Sequence, residues 1–107
     1  MKQLIIDRDP TSIATYLIPL SDDVFSVELV AATDTTLAVP ADATLAIFSA
    51  ELGKDFWVSD AAITLPTGGA FTSQRIYQNR LGAIVVPGST LHFLSVLTNK
   101  MVVEFFN

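Results

Sequence analysis

The chain is predicted to be all-β: a single-domain antiparallel β-sandwich, jelly-roll or immunoglobulin-like, of roughly eight to nine short strands. Three observations predict it. No window of about ten residues carries the 3.6-residue apolar period of a helix. Apolar runs rich in β-branched and aromatic residues recur at intervals separated by turn chemistry. The 107 residues, half of them apolar, suffice for one domain with one core and no staples.

The organising stretch is Val39–Val58, VPADATLAIFSAELGKDFWV. Thr44–Ser49 is uncharged and reads as a strand buried on both faces, central in its sheet. Glu51, Leu52, Gly53, Lys54 and Asp55 read as a polar turn, and Phe56–Val58 resumes the apolar run, so the pair is expected to form a β-hairpin. In a regular strand Trp57 points opposite to Phe56 and Val58.

From the N-terminus, Gln3–Asp7 is a short first strand or an arm that pairs with a neighbour, within a segment 1–10 closed by Arg8, Asp9 and Pro10. Ala14–Leu20 is a strand whose Pro19 marks an edge or an end. Val24–Val30 alternates, with Phe25, Val27 and Leu29 on one face, the pattern of a half-buried strand. Ala31–Thr36 reads as a loop or strand edge leading into Leu37–Pro40. After Ser59 and Asp60, AAITLP gives a strand stopped by Pro66, and Thr67–Asn79 is an irregular excursion with a Gly68–Gly69 pair. Arg80–Pro87 and Thr90–Thr98 return to strand, the second apolar on both faces. Asn99 and Lys100 form a two-residue link to Met101–Phe106. PADATLAIFSA (40–50) is echoed by PGSTLHFLSV (87–96), each followed by an apolar strand.

Composition narrows function by exclusion. With no cysteine there is no disulfide, thiol nucleophile or cysteine-based zinc site. The net charge is -5 and the six Lys and Arg are dispersed, which disfavours a grip on nucleic acid. Apolar runs stop well short of the ~20 residues that span a bilayer. The N-terminus lacks a secretory apolar core, so synthesis and residence in a cytoplasm are expected. A high apolar fraction with only 16% charged residues points to surface buried between subunits.

No catalytic set stands out. His92 sits between Leu91 and Phe93 in a strand with no nucleophile signature, so a packed or rim histidine is the expectation. Turn positions explain most of the aspartates through local hydrogen bonds. Asp22–Asp23 lacks the oxygens and spacing of a calcium loop, and Gly68–Gly69 lacks the Lys and Ser/Thr of a phosphate cradle. Neither a cofactor nor a metal is expected. Two binding sets remain. Leu4, Ile5 and Ile6 with Phe71, Arg75, Tyr77 and Arg80 form a candidate protein interface, the apolar run acting by strand addition and the Arg and Tyr residues as anchors. Trp57 with Phe71 or Tyr77 forms an alternative sugar-stacking set, as in a carbohydrate-binding β-sandwich module.

The succession VPADATLAIFSA (39–50), DFWV (55–58), LP (65–66), VVPGSTLHFLSV (85–96) and MVVEFF (101–106) resembles small β-sandwich virion proteins of tailed bacteriophages. It covers about two thirds of the chain, departing where Asp42 stands for a turn glycine and Glu104 for a small polar residue. The resemblance implies a non-enzymatic structural role: a decoration, cementing or accessory subunit, often a small homo-oligomer, bound to the capsid or head-to-tail region. Its partners would be capsid or other virion proteins, and its location the virion after synthesis in the host cytoplasm.

Overall fold

A computed structural model describes residues 1–3, 20–64 and 77–107. Among the described residues eight strands form two four-stranded antiparallel sheets: β1 (Asp23–Leu29), β2 (Thr35–Ala38), β3 (Leu45–Ala50), β4 (Phe56–Ser59), β5 (Tyr77–Gln78), β6 (Gly82–Ile84), β7 (Thr90–Ser95) and β8 (Asn99–Phe106). One sheet has the order β1-β8-β3-β6 and the other β2-β7-β4-β5. A chain that pairs its first strand with its last, and wraps the rest as a ribbon alternating between the sheets, is a jelly roll. That order decides between the two sandwich types left open by the sequence.

Strand alternation builds the core. Val27 and Leu29 of β1, Ala46 and Phe48 of β3, Phe56 and Val58 of β4, Leu91 and Phe93 of β7, and Met101, Val103 and Phe105 of β8 turn inward. Phe48 meets Phe93 across the sandwich edge-to-face at 5.6 Å, and Phe56 at 6.4 Å, while Phe25 packs its edge on Phe105 at 5.7 Å. Leu94 and Phe106 break the pattern: both face away from the core by register, and both are buried.

The expected hairpin at Val39–Val58 is corrected. β3 and β4 belong to opposite sheets, so residues 51–55 form an arch across the sandwich rather than a hairpin turn. A short charged connection suits either geometry. The choice falls to the arch because both long sides of β3 are taken by β8 and β6, and those of β4 by β7 and β5. β3 is central as expected, but Ser49 is exposed and Leu45 and Ile47 half-buried, so only one face is core.

The predicted two-residue link is likewise an arch. Asn99 and Lys100 open β8, the connection is 96–98, and Val96 and Leu97 leave the strand for solvent. β2 starts earlier than read, at Thr35, and β5 takes Tyr77 and Gln78 from the expected excursion. The strand expected over 80–87 shortens to Gly82–Ile84. Residues 61–64 are not strand, although Ile63 is buried. The expected strands at Gln3–Asp7 and Ala14–Leu20 fall almost wholly outside the described residues.

The internal echo has a structural counterpart, one residue out of step with the sequence match. Phe48 pairs with Val103 as Phe93 pairs with Val58, so Phe48 corresponds to Phe93 rather than to Leu94. The two proline turns also meet: the Val39 amide donates to the Ser89 carbonyl at 2.8 Å, and the Gly88 amide to the Pro40 carbonyl at 3.4 Å.

Candidate functional site

Four arches stand side by side at one end of the sandwich: 30–34, 96–98, 51–55 and 79–81. Hydrogen bonds tie each to the next. The Ala32 amide donates to the Ser95 carbonyl at 2.7 Å, Lys54 Nζ to the Thr98 carbonyl at 2.8 Å, and Ser95 Oγ to the Asp55 carbonyl at 2.9 Å. Asn79 closes the row, its Oδ1 accepting the Phe56 amide at 3.0 Å and its Nδ2 donating to Asp55 at 2.8 Å. Asn99 is fully buried behind the arches. Its Oδ1 accepts the Glu51 amide at 3.2 Å, while its Nδ2 has no partner among the described residues. Ala32, Gly53 and Asn79 adopt left-handed backbone at φ 56, 81 and 51, which lets three of the arches reverse.

The last arch positions a second feature. The two edge strands β5 and β6 leave a cleft of about 290 Å3 between the sheets, with Tyr77, Arg80 and Ile84 at its mouth and Val58, Val85 and Leu91 deeper. The Arg80 guanidinium lies over the Tyr77 ring, 4.7 Å from its centroid, and Arg80 Nε donates to the Gly82 carbonyl at 3.0 Å. Stack and hydrogen bond together hold a cation at the mouth of a largely apolar opening. Among the described residues β6 has no neighbour on its outer side, and Leu81, Ile84 and Val86 beside it are exposed. Gly82 permits the close approach of β6 to β3: a Cβ there would stand 2.6 Å from the Ala46 carbonyl oxygen.

Of the expected interface residues, Tyr77 and Arg80 are brought together at this cleft. Leu4, Ile5, Ile6, Phe71 and Arg75 lie outside the described residues. The sugar-stacking pair Trp57 and Tyr77 is not assembled into one platform. Trp57 pairs with Gln78 and Tyr77 with Val58, so the two rings lie on opposite faces of the sheet, and Arg80 covers one face of Tyr77. Sequence reasoning placed Ile84 and Val86 in a strand without singling them out, and it did not single out the aliphatic arch residues. Their exposure follows from strand order, which no local pattern reports.

His92 is half-buried, with Nδ1 3.0 and 3.1 Å from the two Asp34 oxygens. Ser59 lies opposite His92 in the next strand, yet no hydrogen bond joins them, and Ser59 Oγ accepts the Ala61 amide at 3.1 Å. Among the described residues no group of three or more His, Cys, Asp and Glu is placed to hold a metal ion, and no helix is long and apolar enough to cross a membrane. Comparison with family models, curated proteins and solved structures finds no match to the chain.

Proposed function

We propose that the chain is a non-enzymatic structural subunit of a tailed-phage virion, a decoration, cementing or accessory protein that docks on capsid or neighbouring virion proteins. The observation that carries the reading is the β5–β6 edge. The Tyr77–Arg80 pair stands there beside an outer strand edge flanked by exposed Leu81, Ile84 and Val86. Arg and Tyr anchors in a partly apolar opening, next to a strand edge that has no neighbour among the described residues, are the chemistry of a protein-binding edge. Jelly-roll architecture is compatible with this role but does not carry it, since the fold hosts many functions.

The test is attachment. In particles of the encoding phage purified by density gradient, the wild-type chain is expected to co-sediment, and the Tyr77→Ala, Arg80→Ala double variant to be lost from them. Absence of the wild-type chain from purified particles overturns the structural-subunit reading. Retention of the double variant overturns the assignment to this edge. The carbohydrate-module alternative is checked by Trp57 fluorescence on titration with oligosaccharides, where no saturable change is expected.

A further inference from the structure

Apart from Leu81, which also flanks the β5–β6 edge, the aliphatic residues on the arches are not explained by that edge. Each of the four arches presents at least one large aliphatic side chain to solvent: Val30 at 58%, Val96 at 50% and Leu97 at 59%, Leu52 at 103% and Leu81 at 83% relative exposure. Because the arches are hydrogen-bonded in the order 30–34, 96–98, 51–55, 79–81, these side chains form a row across one end of the molecule. Together they expose several hundred Å2 of apolar surface, the scale at which an exposed patch marks an interaction site.

Charge at this end indicates what covers it. The chain carries -5 overall, so two copies repel over most of their surfaces. The arches hold three carboxylates (Asp34, Glu51, Asp55) against two cations (Lys54, Arg80), a net charge of -1. The Lys54 ammonium is bonded to Glu51, and Asp55 accepts from Asn79. Here a second copy can approach with little electrostatic penalty.

We infer that the arch end is a self-association surface, occupied by the same end of a second copy related by a two-fold axis. A two-fold interface is isologous, so a row is read against its own reverse. The order Val30, Leu97, Leu52, Leu81 then sets Leu52 against Leu97 of the second copy and Val30 against its Leu81. Two such ends closing on each other approach the ~1,200 Å2 at the lower limit of stable interfaces. This goes beyond docking at the β5–β6 edge and does not depend on it.

The test uses the whole chain. Light scattering over a concentration series into the millimolar range is expected to show a dimer. Leu52→Glu and Leu97→Glu, each at an exposed position, are expected to weaken it at least about thirtyfold, the factor for a hot-spot loss of ~2 kcal/mol. Tyr77→Ala is expected to leave the dimer intact, so loss of particle attachment and loss of the dimer are read separately. The chain has no cysteine of its own, so mixed Leu52→Cys and Leu97→Cys chains report contact cleanly. They are expected to cross-link to each other faster than either does to itself. A monomer at every concentration, a dimer that survives both Glu variants, or a monomer that binds phosphatidylcholine vesicles through these residues overturns the proposal.

Discussion

Gly82→Ala is a small change with a cost that can be worked from the geometry. A Cβ at position 82 would lie 2.6 Å from the Ala46 carbonyl oxygen, against about 3.4 Å for ordinary contact. The obstacle is backbone, so no side chain can swing aside, and β6 must move off β3 by roughly 0.5–0.8 Å. Two hydrogen bonds flank the site, Phe48 amide to Leu81 carbonyl at 2.8 Å and Val85 amide to Thr44 carbonyl at 2.9 Å. Stretched by that amount they leave the 2.7–3.2 Å range in which N–H···O bonds are effective. At ~1 kcal/mol net each, their loss costs about 2 kcal/mol. The reduced entropy of the unfolded chain returns ~0.4–1 kcal/mol. The expected destabilisation is therefore about 1–2 kcal/mol, a fall in Tm of roughly 4–12 °C. Thermal unfolding followed by circular dichroism measures it, with the exposed Val86→Ala as a control expected to stay within ~0.5 kcal/mol. A Gly82→Ala protein that melts within 1 °C of wild type would show that β6 is not held against β3 as described.

Two further perturbations probe the core and the arches. Phe93→Ala removes a fully buried ring stacked edge-to-face on Phe48 and is expected to cost about 3–5 kcal/mol, read as a reduced midpoint in denaturant unfolding with unchanged m. The hydrogen bond from the Lys54 ammonium holds the Glu51 carboxyl below its ordinary value of 4.5. A depressed folded-state value contributes stability that is present above the unfolded value and lost as pH falls through the folded one. The acid limb of a stability–pH curve below about pH 4.5 is thus expected to be shallower in Glu51→Gln than in wild type. Identical limbs would remove Glu51 from the arch electrostatics.

Sequence and tertiary structure divide the result by the range of the interactions involved. Alternation at Phe25, Val27 and Leu29, and at Met101, Val103 and Phe105, was enough to predict strands and which side chains share a face, because pleating sends successive side chains to opposite sides whatever the partner. Tyr77 and Arg80 were named by residue type, and the structure adds that they meet. Arches were beyond reach: ELGKD at 51–55 and VLT at 96–98 are compatible with a hairpin or with a crossing between sheets. Which one forms depends on β8 seating itself between β1 and β3, with β1 and β8 paired across seventy or more residues of chain. Strand order then decides that Val96, Leu97, Leu81 and Ile84, apolar residues that local pattern assigns to strands, stand at the edge and the end in water. Hydrophobicity alone sets a preference for burial, and only the global arrangement determines which residues find it within the chain and which leave it for another molecule.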